Sequence, residues 1–353
     1  MARSLKAQQA PPRGFRMPAE WEPHEATWLA WPHEKSDWPG KFTPIPWLYG
    51  EIVRHLARVE RVRILVQDAD AEQSARRILK KCHANLDAVE FFHHPTDRSW
   101  VRDYGPIFVK NEAGEMAITH WRFNGWAKYE NFHYDCRVPE LAAKKLGLRL
   151  YAPGLVLEGG SIDVNGAGKM LTTEECLLSP VQGRNPGVSR RDLERTFQNY
   201  LGAEKVIWLG NGIVGDDTHG HVDDIARFTS RDTVVAAHQP DQGDPNHAPL
   251  NDNLARLKAR GDLKIATLPM PEPVCFAGQI LPASYANFYI ANKIVLAPQF
   301  SDRNDLEALR TLARLFPDRE IIPIPCRDLV LGLGALHCMT QQQPSAGQSS
   351  AAG

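Results

Sequence analysis

The sequence predicts an α/β fold. Ten short runs are apolar or alternate between apolar and polar residues, and many are rich in β-branched residues, as strands are. Six other segments carry apolar residues at helical spacing, and strands separate each of them from the next. The chain of 353 residues is 43% hydrophobic, which is enough to bury a large core.

In chain order, the predicted strands are residues 26–31, 62–68, 89–94, 106–110, 155–166, 205–210, 233–238, 264–270, 287–299 and 320–326. The predicted helices are residues 47–59, 70–82, 138–147, 189–202, 250–261 and 305–316. Several helices follow Asp, Ser or Asn, which cap helix N-termini. The same element order fits a doubly wound sheet or several copies of a small strand-helix module, so periodicity alone leaves the architecture open.

Both ends of the chain are poor in groups that pack. Residues 1–13 are polar and contain a Pro-Pro pair, and residues 343–353 form a tail of small and polar residues. We expect both segments to be disordered. No linker or block of charge divides residues 14–342, so these should form a single domain.

Charge and cysteine usage exclude several classes of protein. The 41 basic and 42 acidic residues give a formal net charge of −1, so no excess charge draws the chain to nucleic acid or to an anionic membrane. The six cysteines are scattered without a C-x-x-C pair, and the first twenty residues lack the apolar stretch of a signal peptide. No run approaches the roughly 18–20 apolar residues of a membrane helix. We therefore expect a cytoplasmic protein with free thiols.

The segment DDTHGHVDD, residues 216–224, contains two histidines two residues apart. On a strand, His219, His221 and Asp223 would share one face. The segment is similar to the T-H-x-H-x-D-H box of metallo-β-lactamase-fold hydrolases, but Asp224 stands where that box has a histidine, and no further ligand segment follows. A metal-dependent hydrolase using His219 and His221 is therefore only a remote alternative.

Cys338 lies in the segment GLGALHCMT close to the chain end. A lone cysteine is usually a small buried apolar residue. The glycines at 332 and 334, however, permit the backbone to approach a ligand, and His337 is adjacent. Cys338 is thus a candidate nucleophile.

Two acids stand beside flexible backbone. Asp103, next to Arg102, precedes a Gly-Pro turn, and Glu158 precedes two glycines. Their structural alternatives are a salt-bridged loop and a β-bulge, respectively. Acids at strand ends beside flexible backbone are also where binding sites are commonly built.

Eight segments together resemble the agmatine deiminase and bacterial peptidylarginine deiminase group of the guanidine-modifying superfamily. They occur in the order of that group and span nearly the whole chain: MPAEWEPHEATWLAWP (17–32), WVRDYGPIFV (100–109), FNGWAKY (123–129), LEGGSID (157–163), GRNPG (183–187), GHVDDIARF (220–228), ASYANFYIAN (283–292) and LHCMTQQ (336–342). The resemblance implies a five-bladed, pseudo-symmetric α/β-propeller (pentein) of ββαβ modules around a central site.

The resemblance also implies the roles of the candidate residues. Cys338 would be the nucleophile, His221 the general acid and base, and Asp103, Glu158 and Asp223 the carboxylates that hold the guanidinium. We add Trp100 to the substrate-binding residues because it lies three residues before Asp103. His219 departs from the group's pattern and receives no role.

The segment before the nucleophile departs as well, since the usual run is Gly-Gly-Gly-Asn-Ile-His-Cys and Leu333 and Ala335 replace two of its residues. The resemblance otherwise implies a hydrolase that converts agmatine to N-carbamoylputrescine and ammonia through an amidino-cysteine intermediate. A peptidylarginine or other small-guanidine deiminase is the alternative. We expect a small-molecule partner, no metal or organic cofactor, and neither nucleic acid nor membrane as partner. A homodimer is compatible with the resemblance.

Overall fold

Strands and helices alternate throughout the computed structural model, which describes residues 10–346. The α/β fold is therefore confirmed. The helices are α1 (Ile45–Leu56), α2 (Ala69–Lys81), α3 (Val101–Tyr104), α4 (Val138–Leu146), α5 (Glu174–Leu178), α6 (Arg190–Leu201), α7 (His247–Lys258) and α8 (Asp305–Leu315). The six predicted helices are all present, with ends shifted by up to three residues.

The strands are β1 (His24–Ala30), β2 (Arg61–Val66), β3 (Val89–His93), β4 (Ile107–Lys110), β5 (Met116–Thr119), β6 (Arg149–Tyr151), β7 (Asp163–Val164), β8 (Lys169–Thr173), β9 (Lys205–Leu209), β10 (Ala226–Phe228), β11 (Thr233–His238), β12 (Lys264–Pro269), β13 (Cys275–Phe276), β14 (Gln279–Ile280), β15 (Tyr289–Ala291), β16 (Ile294–Gln299), β17 (Glu320–Pro325) and β18 (Gln341–Pro344).

Five sheets share one connectivity. In β4-β5-β6, the first pair is antiparallel and the second is parallel, with α4 as the connection between the parallel strands. The sheets β7-β8-β9, β10-β11-β12 and β15-β16-β17 repeat this order. The fifth sheet joins both ends of the chain, because β18 pairs antiparallel with β1, which pairs parallel with β2, and β3 follows. Of the two architectures that the sequence left open, the repeated small module matches this connectivity.

The helix ends are defined by the sequence. Asp68 accepts a hydrogen bond from the backbone N–H of Ala71 at the start of α2, and Ser189 accepts one from Asp192 at the start of α6. Helix α6 ends at Gly202, whose φ of +67° favours glycine.

Two predicted strands are wrong in detail. Residues 155–166 were expected to form one strand, but Glu158 precedes a 3-10 helix at Gly159–Ser161, and only Asp163–Val164 is a strand. At this turn the backbone of Gly159 packs directly against that of Arg102. A Cβ on Gly159 would lie 2.3 Å from the Arg102 carbonyl oxygen, so the close approach requires glycine. Residues 287–299 form the hairpin β15-β16, which reverses at Lys293 with φ of +63°.

The predicted C-terminal tail begins too early. Gln343 and Pro344 belong to β18, where they pair with β1, and Trp28 donates a hydrogen bond to the Gln343 side chain over 3.0 Å. At the other end, Pro11 is buried within the predicted disordered segment. The rest of the two predicted disordered segments includes residues 1–9 and 347–353, which lie outside the described residues. Within residues 10–346, no helix combines the length and the apolar character needed to cross a membrane.

Candidate active site

The predicted site residues lie just before the first strand of different sheets. Asp103 is in α3, directly before β4, and Glu158 precedes β7. His221 and Asp223 precede β10, and Cys338 precedes β18. The repeated connectivity thus brings together five residues that are far apart in sequence.

Gly160 marks the point where three of these side chains converge. A Cβ at this position would lie 2.6 Å from His221 Nδ1, 2.8 Å from Asp103 Oδ1 and 3.0 Å from Asp223 Oδ2. Its backbone N–H donates a hydrogen bond to Asp103 Oδ1 over 3.1 Å. Only glycine leaves room for these groups to meet.

His221 is fully buried between two carboxylates. Its Nδ1 lies 3.7 Å from Asp103 Oδ1, and its Nε2 lies 4.0 Å from Glu158 Oε2. Both distances exceed that of a hydrogen bond. Neither ring nitrogen has a hydrogen-bond partner among the described residues. The buried ring is therefore available to a ligand that enters the site.

Glu158 is held by Arg184, and both side chains are fully buried. Arg184 Nε donates to Glu158 Oε1 over 2.9 Å, while its Nη1 and Nη2 donate to the carbonyl oxygens of Gln182 and Thr218. The second carboxylate oxygen, Oε2, has no partner in the described part of the chain. Arg184 therefore fixes one oxygen of Glu158 and leaves the other free to bind a ligand.

The Cys338 sulfur faces both an amide and a carboxylate. Asn287 Nδ2 donates to Sγ over 3.2 Å, and Asp223 Oδ2 lies 3.8 Å from Sγ. Asn287 also accepts a hydrogen bond from the backbone N–H of His337 over 2.9 Å and donates one to Asp224 Oδ1 over 2.9 Å. These contacts fix the sulfur beside the carboxylates.

A buried series of hydrogen bonds and ion pairs, which runs through His337 and Glu20 to Arg227, holds Asp223 in place. His337 Nδ1 lies 2.7 Å from Asp223 Oδ2, and His337 Nε2 lies 2.8 Å from Glu20 Oε2. Arg227 Nη2 lies 2.9 Å from the same Glu20 oxygen. Burial acts to raise the pKa of Asp223, but the hydrogen bond from His337 and the charges of the nearby basic groups together outweigh it and hold that pKa below its usual range.

Burial disfavours the charged forms of the remaining titratable groups, Asp103, Cys338 and His221. Burial raises the pKa of Asp103 to about 6. The nearby carboxylates of Asp223 and Glu158 also raise this pKa, and the positive charge of His221 offsets only part of the increase. Burial, Asp223 and Asp224 raise the pKa of the Cys338 thiol well above its usual range. Burial lowers the pKa of His221, but Asp103, Cys176 and Asp223 outweigh it and raise that pKa well above the ordinary value. The empty site therefore contains a neutral thiol beside an imidazolium.

A cavity of about 450 Å³ leads to these groups. Trp100, Asp103 and Cys338 line it, while Glu158, His221 and Asp223 are fully buried behind them. Trp100 lies close against the backbone of the segment before Cys338, because a Cβ on Gly332 or Gly334 would approach its ring within 2.8 Å. All six predicted site residues therefore lie at the cavity or next to it.

His219 lies elsewhere. Its Nε2 is 3.3 Å from Ser179 Oγ, its Nδ1 is 3.8 Å from Glu175 Oε1, and it lines a separate cavity of about 560 Å³. The expected shared strand face is wrong, because the chain turns at His219 (φ +63°) and Gly220 (φ +91°) and residues 222–224 form a 3-10 helix. The two histidines do not converge on one position.

A different group of residues has the composition of a metal site. Glu158, Cys176 and His221 each offer one ligand atom, and these atoms lie within 4.8 Å of one another. Within residues 10–346 this group includes His221 but not His219. The arrangement thus gives no support to a metal held between the two histidines.

Several groups around the site did not emerge from the sequence as functional. Asn287 lies in the resemblance segment 283–292, and Trp126, which donates a hydrogen bond to Asp103 Oδ2 over 2.9 Å, lies in the segment 123–129. Glu20 lies in the segment 17–32. Membership of these segments was the available signal, because no spacing rule points to the three residues.

Comparison with known proteins agrees with this geometry. The family model described as Porphyromonas-type peptidyl-arginine deiminase matches residues 16–344. The agmatine deiminase of Pseudomonas putida is 37% identical over 97% of this chain and 99% of its own length. The agmatine deiminase of Enterococcus faecalis has a solved structure that superimposes with a TM-score of 0.89 and 33% identity, covering 97% of this chain and 99% of that one.

A cysteine-to-serine variant of the C. jejuni agmatine deiminase, solved with substrate bound, superimposes with a TM-score of 0.86 and 30% identity over 95% of this chain and 98% of that one. The matches extend over nearly the whole length on both sides. The resemblance drawn from the eight sequence segments is confirmed, and the chain belongs to the Porphyromonas-type peptidyl-arginine deiminase family.

Proposed function

We propose that this protein is a deiminase that hydrolyses agmatine to N-carbamoylputrescine and ammonia. One observation carries the proposal: buried acid and imidazole atoms without partners lie together, and one of these acids, Asp223, is 3.8 Å from the sulfur of Cys338, which lines the cavity. Among the described residues, these atoms are Glu158 Oε2, Asp223 Oδ1 and both nitrogens of His221. A planar cation with several N–H groups satisfies the two carboxylate oxygens of this set, while the His221 imidazolium remains a proton donor.

The three carboxylates would bind and orient the guanidinium. Asp103, Glu158 and Asp223 accept its N–H groups, and its positive charge reduces their mutual repulsion. The same charge next to Cys338 favours the thiolate, which burial and the acids suppress in the empty site. The thiol proton leaves to solvent as the substrate cation enters. Substrate binding thus activates the nucleophile.

In the first half of the reaction, the Cys338 thiolate bonds to the central guanidinium carbon and forms a tetrahedral intermediate. The C–N bond to one terminal nitrogen then breaks, and the His221 imidazolium gives its proton to the departing group, which leaves as ammonia. The remaining amidino group is bonded to sulfur. The high pKa of His221 suits this step because the ring begins protonated.

In the second half, neutral His221 takes a proton from a water molecule that attacks the amidino carbon. The C–S bond breaks, the thiolate is restored, the remaining proton on the attacking oxygen passes to solvent, and the neutral ureido product leaves. The oxygen of water replaces one nitrogen. The steps balance without an oxidant or reductant, so His221 acts first as an acid and then as a base.

The far end of the cavity favours an amine over a carboxylate. Asp37 and Asp217 line the cavity, and Arg98, the basic residue among its described lining residues, is paired with Asp37. Asp217 accepts a hydrogen bond from Tyr129 over 2.6 Å and pairs with Lys128. Acids and aromatic walls suit the amine and alkyl chain of agmatine.

Two other arginines, the buried Arg184 and Arg102, are not available to bind a carboxylate at the far end of the substrate. Arg184 is paired with Glu158, and Arg102 donates to His337 and Gln342. The α-carboxylate of free arginine would therefore lack an unpaired cation. The family name raises peptidylarginine as a second candidate substrate. Residues of the β13-β14 hairpin, Phe276, Ala277 and Gln279, line the cavity and narrow the space for a peptide backbone, which favours a small molecule.

We further propose that the five sheets of common connectivity are the blades of a five-bladed α/β-propeller. The placement of Asp103, Glu158, His221, Asn287 and Cys338, each before the first strand of its own sheet, supports this arrangement. A single catalytic domain, a cytoplasmic location and a homodimer stay predictions.

A panel of guanidines tests the function. Purified protein is incubated with agmatine, arginine, a peptidylarginine substrate and butylguanidine, with and without a chelator, and ammonia is measured. We expect the highest kcat/KM for agmatine, unaffected by chelation. Asp217→Asn should lower kcat/KM for agmatine by roughly 10–100-fold and leave butylguanidine, which has no amine, little changed. A preference for peptidylarginine, or metal-dependent turnover, would overturn the proposal.

The nucleophile is tested separately. Mass spectrometry of protein quenched during turnover should map the amidino adduct to Cys338, and Cys338→Ser should abolish turnover. Cys326→Ala, which removes another buried thiol, is the control and should retain the adduct. An adduct on any cysteine other than Cys338 would contradict the assignment.

A further inference from the structure

The side chains of Glu158, Cys176 and His221 form a second potential site that overlaps the substrate site. We propose that these three residues bind a borderline-soft divalent cation such as Zn²⁺ and that the bound ion inhibits the enzyme. Carboxylate, thiolate and imidazole are ligand types that zinc takes in proteins. The ion is an inhibitor here and takes no part in the reaction.

The geometry is close to that of a three-ligand zinc site. The three ligand atoms lie within 4.8 Å of one another, and Glu158 Oε2 is 4.0 Å from His221 Nε2. Zinc ligands at bond lengths of 2.0–2.3 Å are separated by about 3.5 Å in a tetrahedron. The side chains therefore need to approach one another by about 1 Å, which small side-chain rotations supply.

Two of the three ligand groups are buried and free. Glu158 Oε2 and both nitrogens of His221 have no hydrogen-bond partner within the described residues, and both side chains are at most 1% exposed. Arg184 occupies the other Glu158 oxygen, which leaves Oε2 as the ligand atom. A buried acceptor without a partner is an unusual feature and gains by binding a cation.

The third ligand is fixed beside His221 by the fold. Cys176 lies in α5, where the Thr173 hydroxyl accepts a hydrogen bond from the Cys176 N–H over 3.1 Å. The same hydroxyl donates to the carbonyl oxygen of Gly220, the residue before His221, over 2.5 Å. Thr173 therefore ties the helix that carries Cys176 to the loop that carries His221. The reaction proposed above leaves Cys176 without a role.

Binding would be compatible with the local charge. The Cys176 thiol and the His221 imidazolium each lose one proton to solvent when they become ligands, because zinc binds the thiolate and the neutral imidazole. One thiolate and one carboxylate then match the two charges of Zn²⁺, and Arg184 remains paired through the other Glu158 oxygen. The fourth position is left for water.

Inhibition follows from the shared residues, and this part rests on the proposed function. An ion on Glu158 and His221 blocks the guanidinium and removes the acid and base. Zn²⁺ should therefore compete with agmatine, raising the apparent KM. Metal binding itself does not depend on which substrate the enzyme uses.

Binding is tested in the Cys338→Ala variant, so that the nucleophile cannot serve as a ligand. Co²⁺ is added to this variant, and the near-ultraviolet absorption of a cobalt-thiolate bond is recorded. We expect the band in Cys338→Ala and its loss in the double variant with Cys176→Ala. The double variant with Cys326→Ala is the matched control, since Cys326 is equally buried, and should keep the band. Absence of the band in Cys338→Ala, or its survival without Cys176, would overturn the proposal.

Inhibition is tested with Cys338 present. The Zn²⁺ concentration that halves the rate of each protein, relative to its own uninhibited rate, should rise at least about tenfold in Cys176→Ala, since losing even a residue that supports a ligand weakens metal binding by roughly 10–100-fold. An unchanged inhibition constant would refute the inhibitory role. If no guanidine is hydrolysed, the proposed function fails, whereas the cobalt band still decides the metal site.

Discussion

The side-chain amide of Asn287 donates hydrogen bonds to the Cys338 sulfur over 3.2 Å and to the Asp224 carboxylate over 2.9 Å. An N–H aimed at sulfur favours the thiolate, whereas burial and the surrounding acids favour the thiol. Asn287 also provides the buried Asp224 carboxyl group with a hydrogen-bond donor. It therefore positions the nucleophile and reduces the cost of its ionisation.

Replacing Asn287 with alanine should slow both turnover and alkylation of Cys338. Loss of a hydrogen bond to a charged group corresponds to roughly 10–100-fold in rate. The pH dependence of iodoacetamide labelling, read by mass spectrometry at Cys338, should shift to higher pH. Asn253→Ala is the control, since Asn253 is an equally buried amide that bonds Gly210 and Asn211 instead. A labelling profile like that of the unmodified protein would argue against this role.

The acid limb of kcat/KM should report Asp103. The pKa of Asp103 is raised to about 6 in the substrate-free enzyme, and the protonated carboxyl group cannot form an ion pair with the guanidinium. Activity should fall as the pH drops through about 6, because kcat/KM follows the free enzyme. The hydrogen bond from Trp126 lowers the pKa of Asp103, so Trp126→Phe should move the acid limb to higher pH.

The control for this shift is Trp121→Phe, which removes another buried indole. Trp121 donates to Thr119, away from the acids. Its pH profile should match that of the unmodified enzyme. An acid limb that stays in place in Trp126→Phe would show that Asp103 is not the group that titrates.

Gly160 should tolerate no side chain. An added methyl group would lie within 3.0 Å of His221, Asp103 and Asp223, so one or more of these must move. Since misplacement by 1 Å can cost about 10²-fold, Gly160→Ala should lower kcat at least by that factor. Gly183→Ala is the control, because its methyl group meets nothing closer than 3.4 Å. Equal activity of the two variants would contradict the packing at Gly160.

The sequence predicted the helices well and the shortest strands poorly. Strands of three or four residues, such as β6 and β10, are too short for their periodicity to be visible. The end of strand β18, from Gln343 onward, was assigned to a tail because Gln343 follows two other polar residues, Gln341 and Gln342. The structure buries these side chains, and Gln342 and Gln343 are satisfied there by Arg102 and Trp28, which composition cannot reveal.

The candidate site was predicted more completely, but partly for a wrong reason. His221 and Asp223 were placed together because alternate residues of a strand share a face. They do meet at Gly160, yet through a turn and a 3-10 helix. Asn287 was missed because its importance lies in contacts with Cys338 and Asp224, which are distant in sequence. Such contacts depend on how the sheets are arranged.

The ionised Asp103 carboxylate should lower the free energy of unfolding of the substrate-free enzyme at neutral pH. Its pKa is about 6 in the folded state and 3.8 as an ordinary carboxyl group, chiefly because of burial. Between these values the folded state binds the extra proton, so the wild-type protein loses stability as the pH rises through this window. Asparagine is neutral like the protonated form and has nearly the same shape, but its single amide oxygen keeps only one of the two hydrogen bonds that Asp103 accepts from Trp126 and Gly160.

Asp103→Asn should therefore be inactive but more stable than wild type at pH 8, by up to about 3 kcal/mol for a shift of this size. The gain should decline as the pH falls from about 6 and vanish near pH 4, where both proteins are neutral at this position. Urea unfolding at pH 8 and pH 4 measures both values. Asp232→Asn serves as the control, because Asp232 is a surface acid whose pKa is lowered and whose replacement should bring no gain. Equal stability of Asp103→Asn and wild type at pH 8 would mean that the charge of Asp103 is already compensated without substrate.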